Sequence, residues 1–149
     1  QSINFLEKIE VKKKYPNTIE IKVFETKPLA VLFKKNEKYL IDSSSNLILF
    51  KEIISNDEFP TIFGEDGEKN FISFYKKLKS NNFPLQSIKN YYFFQIGRWD
   101  VEFFNNKLIK FPENNGEEII RQSIKLLNKN DFKNYNVIDL RINGKVIVE

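Results

Sequence analysis

From Ile9 to Val23 the chain alternates apolar and polar residues, turns once and alternates again. The first run is Ile9-Glu10-Val11-Lys12-Lys13-Lys14-Tyr15, the turn is Pro16-Asn17, and the return is Ile19-Glu20-Ile21-Lys22-Val23. A period of two places successive side chains on opposite faces of a strand, so the pair predicts a hairpin with one wet, charged face. Lys12 to Lys14 belong to that outer side. The pattern of short runs closed by turn residues continues after Pro28. Strands are expected over Leu29 to Phe33, Tyr39 to Ile41 and Leu47 to Phe50, separated by Lys35-Asn36-Glu37-Lys38 and by the Ser-rich Asp42 to Asn46. An apolar stretch, Phe59 to Gly64, precedes the turn Glu65-Asp66-Gly67. Later strands are expected over Tyr91 to Gln95, Arg98 to Phe104, Lys107 to Phe111, Val137 to Ile142 and Lys145 to Val148. Asn143-Gly144 between the last two is a strong hairpin signal, because a type I′ turn needs positive φ at both central residues.

Two windows carry a helical period instead. Phe71, Phe74, Tyr75 and Leu78 form one apolar stripe, with Lys76, Lys77 and Lys79 off it. A second helix is expected to start at Asn115 as N-cap with Glu118 three residues on, and Ile120, Ile124 and Leu127 form its stripe. Ser2 to Lys8 reads as the last turns of another helix. The fold class is therefore α+β, a mostly antiparallel sheet with two amphipathic helices, and aromatics at 15% supply a heavy core. A boundary falls near Lys27-Pro28, giving segments 1–27 and 28–149.

Much chemistry is excluded. There is no Cys and no His, so thiolate nucleophiles, disulfides, the commonest metal ligand and the usual general base near neutral pH are all missing. Five glycines, far apart, make no phosphate loop. Asp100 and Glu102 lie two apart on one strand and share a face, which reads as a solvated face and not as carboxylates opposed across a cleft. Asp42 and Asp139 have no evident partner, except that Arg141 shares a face with Asp139. The expectation is a binding protein with no catalytic, cofactor-binding or metal-binding residues.

The net charge of +4 raises a nucleic-acid partner, but lysines are scattered among Asp and Glu and form no block. No apolar run approaches the ~18 residues of a membrane span. The chain opens on Gln1 without an initiator Met, and is read as a fragment with any anchor upstream.

Several motifs resemble the FtsQ/DivIB family of cell-division proteins. Tyr15-Pro16-Asn17-Thr18-Ile19-Glu20-Ile21, closed by Glu25-Thr26-Lys27-Pro28-Leu29-Ala30, resembles the last hairpin of that family's POTRA domain. Leu40 to Asn46 resembles its hydrophobic-Asp-x-x-Gly turn, with Ser45 where Gly is usual. Phe59-Pro60-Thr61-Ile62-Phe63-Gly64 resembles its Leu-Pro-x-hydrophobic-x-Gly stretch. Arg98-Trp99-Asp100-Val101 is similar to its Arg-Trp strand, Phe111-Pro112 to the end of the next strand, and Val137-Ile138-Asp139-Leu140-Arg141 to its Val-Asp-Leu-Arg segment.

The resemblance implies a POTRA remnant over 1–27 and an FtsQ-type β domain over 28–149. The intact protein would cross the inner membrane once, through a helix upstream of this chain, with this part in the periplasm. It would act as a non-catalytic divisome scaffold without cofactors. The POTRA side would contact FtsK, and the C-terminal strands would bind FtsB and FtsL. The implied partner-binding residues are Arg98, Trp99, Asp139, Leu140, Arg141, Ile142, Asn143, Gly144, Lys145, Val146, Ile147 and Val148. Pairing across Asn143-Gly144 would set Leu140 opposite Ile147 and Asp139 opposite Val148. That leaves an apolar edge strand open to strand addition, with Arg141 and Arg98 available to a partner carboxylate. The alternative is a POTRA-containing outer-membrane assembly or transport protein.

Overall fold

The computed structural model describes residues 6–50 and 59–149. The alternating segments form two sheets. The first is the hairpin of β1 (Leu6–Lys14) and β2 (Thr18–Glu25). The second has nine strands: β3 (Pro28–Lys34), β4 (Glu37–Asp42), β5 (Leu47–Leu49), β6 (Thr61–Phe63), β7 (Ile88–Phe94), β8 (Arg98–Phe103), β9 (Leu108–Lys110), β10 (Val137–Asp139) and β11 (Ile147–Val148), in the order β11-β10-β9-β8-β7-β6-β3-β4-β5. Hairpin-connected neighbours are antiparallel. Three pairs are parallel: β3 with β6, β6 with β7, and β9 with β10. The helices explain two of these, since parallel neighbours need a crossover. Helix α1 (Gly67–Ser80) carries the chain from β6 to β7, and α2 (Glu117–Asn128) from β9 to β10.

Both helices lie on one face. Cross-strand pairing lines up Leu32, Ile62, Tyr91, Val101, Ile109, Ile138 and Val148 in a single row. That row, as far as Ile138, joins the core with Phe71, Phe74 and Leu78 of α1 and Ile120 and Leu126 of α2. Aromatic rings dominate it. Trp99 stacks on Phe74 with centroids 5.1 Å apart, and Phe74 meets Phe111 edge-on at 5.6 Å.

The turns show why their residues are there. Asp42 is buried, and its carboxylate accepts from the backbone N–H of Ser44 and of Asn46, both at 2.8 Å, from the Asn46 amide at 2.9 Å and from the Thr26 hydroxyl at 3.0 Å. This ties the β4–β5 turn to the residues before β3. Ser45 sits at φ +67°, the left-handed region that favours glycine. Gly64 is at φ +108°, and a Cβ there would lie 2.1 Å from the Phe93 carbonyl oxygen, so β6 and β7 pass too closely for any side chain.

Three local expectations need correction. Leu6 to Lys8 are strand, not helix, because β2 runs on to Glu25 and offers them a ladder, Leu6 opposite Glu25 and Lys8 opposite Phe24. One or two isolated helical turns have no such support. Ser2 to Phe5 lie outside the described residues. Helix α2 is capped by Gly116, not Asn115. The Asn115 side chain is instead buried and accepts a hydrogen bond from Lys77 Nζ at 3.0 Å, tying α2 to α1. The centre of the α2 stripe is Ile120, Ser123 and Leu126, with Ile124 and Leu127 on its flank.

Candidate functional site

Strands β8 to β11 form one end of the large sheet, and their two faces differ. On the helix-covered face the pairing is apolar. On the helix-free face it sets Tyr92, Asp100, Lys110, Asp139 and Ile147 side by side across five strands. The next row holds Asn90, Glu102, Leu108 and Val137. Alternating charge in a cross-strand row is favourable, whereas like charges directly opposite would repel.

Asp139 closes on Arg141. Its Oδ1 accepts from the Arg141 backbone N–H at 3.0 Å. The guanidinium adds Nε at 2.9 Å to each oxygen and Nη2 at 2.6 Å to Oδ2. Hydrogen bonds from Arg141, outweighing the cost of burial, hold this carboxyl below the usual aspartate range. Arg98 lays its guanidinium carbon 3.7 Å above the Phe94 ring centroid, and its Nε lies 3.3 Å from Asp100 Oδ1 without hydrogen-bonding to it. Asp100 is buried, so it is not part of a solvated face. Burial raises its pKa despite the opposing pull of Arg98, Arg141 and Lys110. Glu102 is largely covered and accepts from the Tyr92 hydroxyl and from the Asn90 amide, each at 2.7 Å.

The C-terminal hairpin differs from the expected one. Ile138 pairs with Val148 and Asp139 with Ile147, one residue out of the register a two-residue turn would give. The connection therefore runs from Leu140 to Val146. Its turn is closed by the Lys145 N–H donating to the Ile142 carbonyl at 3.1 Å, and of the central pair only Gly144 has positive φ. That is the pattern of a type II turn, not type I′. Two contacts stop β10 from continuing into a longer hairpin. The Asp139 carboxylate takes the Arg141 N–H, and Leu140 donates to the Lys110 carbonyl at 2.9 Å with its side chain buried in the core.

Among the described residues, strand β11 is the edge of the sheet. Val137 and Glu149 exchange both backbone hydrogen bonds, at 3.0 and 3.2 Å. Antiparallel ladders alternate, so Ile147 also faces β10, whereas the N–H and C=O of Val146 and Val148 point to the open side. Val146 packs against the core, and Ile147 is 42% exposed on the helix-free face.

The twelve residues singled out from the sequence thus fall into four groups. Trp99 and Leu140 are core and offer no surface to a partner. Asp139 belongs to the charged row, Arg141 is clamped onto it from beyond β10, and Arg98 stands beside Asp100 on the same strand. Ile142 to Lys145 form the exposed turn, and Val146 to Val148 the edge. Sequence reasoning missed Lys110, Tyr92 and Asn90, whose place depends on pairing between strands distant in the chain. Among the described residues no group of three or more Asp and Glu side chains is arranged to hold a metal ion.

A family model described as "Cell division protein FtsQ/DivIB, C-terminal" matches residues 30–141. The chain belongs to the FtsQ/DivIB family. The match runs from within β3 to the Asp139–Arg141 clamp and includes both helices. The cell division protein FtsQ of Rickettsia conorii is 30% identical over 151 residues, covering 97% of this chain and 55% of that protein. That of Blochmanniella floridana is 28% identical over 161 residues, covering 94% and 56%, and that of Agrobacterium fabrum 22% over 151, covering 97% and 46%. The chain spans about half the length of these FtsQ relatives. Among its described residues no helix is long and apolar enough to cross a membrane.

Proposed function

We propose that this FtsQ-family chain is the periplasmic part of a single-pass inner-membrane divisome scaffold, without catalysis of its own, and that it binds FtsB and FtsL at the C-terminal end of its large sheet. The observation that carries this reading is the open edge of β11. It presents the backbone groups of Val146 and Val148 beside a fixed charged row. A partner strand added there satisfies those groups, and exposed Ile147 supplies an apolar contact. Arg98 lies flat on Phe94 with its Nε buried beside Asp100, so only the outer part of its guanidinium, on a side chain 17% exposed, is available to a partner carboxylate.

We further assign residues 1–27 to a POTRA domain that faces the FtsK side. The hairpin β1–β2 supports this. Ile9, Val11, Ile19, Ile21 and Val23 are 49 to 64% exposed on one face, an apolar surface suited to being covered by further elements of such a domain.

The test is titration of this chain with the FtsB–FtsL pair of the same genome, using wild type, Arg141→Ala and a chain ending at Gly144. Loss of binding on truncation, in a chain that keeps its circular dichroism, supports the edge as the interface. Undiminished binding moves the interface elsewhere.

A further inference from the structure

We propose that a cleft on the helix-free face, floored by Asp100 and Glu102, receives a lysine or arginine side chain of the docked polypeptide. The inference rests on the edge-docking reading for the identity of the partner, but not for the existence of the cleft. The cleft has a volume of about 430 Å³ and is lined by Tyr92, Asp100, Glu102, Asn106, Leu108 and Val137.

Asp100 is the anomaly that points to a ligand. Its side chain is only 7% exposed, yet its buried Oδ1 accepts no hydrogen bond. Arg98 Nε is near but misaligned, and it too is buried without a hydrogen bond. Lys110 and Arg141 act on Asp100 through space only. Buried carboxylates are ordinarily hydrogen-bonded, because losing water without replacement is costly. Glu102 is half-used in the same sense. Its Oε2 takes both the Tyr92 hydroxyl and the Asn90 amide, while Oε1 has only Lys89 at 4.0 Å. Both carboxylates line the same cleft, Asp100 with its Oδ1 buried against Arg98 and Glu102 with its Oε1 free of any hydrogen bond.

The walls fit the rest of such a side chain. Leu108 and Val137 are cross-strand partners, half-buried and apolar. They suit the methylene stem of lysine or arginine, whose charged tip reaches the carboxylates. An anion would meet two negative charges, and an apolar group would leave Asp100 as starved as before. The position suits a docked chain as well. Val137 exchanges hydrogen bonds with Glu149, directly after β11, so a polypeptide leaving the edge onto the helix-free face passes over the cleft.

The probes are N-acetyl-lysine methylamide, its arginine counterpart and its norleucine counterpart, titrated into the isotope-labelled chain and followed by amide chemical shifts. We expect saturable shifts at Glu102, Leu108 and Val137 with the basic amides at roughly tens of millimolar, the range a single side chain commands, and none with norleucine. Asp100→Asn and Glu102→Gln keep side-chain shape. Each is expected to weaken the lysine amide about tenfold, as for one lost charge-assisted hydrogen bond, in a chain whose spectrum stays dispersed. Equal shifts with norleucine, no shifts at all, or lysine binding that survives the double variant would overturn the proposal. A parallel titration with FtsB–FtsL against Val148→Pro separates the two readings. Lysine binding with an indifferent Val148→Pro leaves the cleft and removes the edge, and the reverse outcome leaves the edge and removes the cleft.

Discussion

Asp100 shows how a single side chain can work against the stability of its own fold. Burial raises its pKa above the ordinary aspartate value, and the positive charges of Arg98, Arg141 and Lys110 do not fully offset this. A folded-state pKa above the unfolded one means that the group favours folding only while protonated, and that this advantage is lost as pH rises through the folded value. At neutral pH the ionised carboxylate therefore opposes folding. Asp100→Asn is expected to raise the melting temperature at pH 7, with the gain shrinking toward zero below about pH 4, where the aspartate is protonated in both states. Thermal melts of both chains across that range check it. Gly64 makes the opposite case. Alanine there would force a Cβ to within 2.1 Å of the Phe93 oxygen at a φ of +108°. We expect a loss of about 3 kcal/mol or more in denaturant unfolding, as strain and overpacking add. The sequence made Gly64 legible as the end of an apolar stretch, and the shared face of Asp100 and Glu102 legible from their spacing. It did not reveal the burial of Asp100, because Tyr92, Lys110, Asp139 and Arg141 reach that face from other strands or from beyond β10.

At the level of elements, the last hairpin tests what a local signal is worth. Asn143-Gly144 does turn the chain, but tertiary contacts choose the turn type and register. Leu140 is pulled into the core and onto β9, and Asp139 folds back onto Arg141, so the two-residue turn never zips to its full length. The helical stripes and most strands were legible because burial follows their own period. The parallel pairings were not, since nothing local says that α1 and α2 are crossovers. The register also gives a selective probe of the edge. The Val148 N–H points away from β10, whereas the Ile147 N–H faces it. Proline at 148 thus removes only the outward donor, and proline at 147 removes a ladder bond. Val148→Pro is expected to keep near-wild-type stability and lose strand addition. Ile147→Pro is expected to lose about 1 kcal/mol or more of stability. Chemical denaturation of both variants, beside titration with the FtsB–FtsL pair, reads the contrast.

Across the whole molecule, stability is concentrated in the large sheet. Among the described side chains, the core cluster and the residues packed on it begin at Leu29 and end at Val146, and include nothing from β1 or β2. The hairpin instead keeps an apolar face half-exposed or more, and a two-stranded hairpin alone is marginal in water. Its backbone ladder is long, from Leu6 opposite Glu25 to Lys14 opposite Thr18, but ladder bonds exposed to solvent open readily without a buried side behind them. Hydrogen exchange should therefore divide this chain in two. Amides of Val11 and Ile21 are expected to exchange by local opening, orders of magnitude faster than those of Tyr91, Val101 and Ile109, which open only with the whole domain. A chain beginning at Thr26 keeps the hydroxyl that donates to Asp42 and should melt within a few degrees of residues 1–149. If removing residues 1–25 instead lowered the melting temperature sharply, or if Val11 and Ile21 were protected like the core, the hairpin would be an integral part of the large-sheet domain, and the division at Lys27-Pro28 would not separate two folding units.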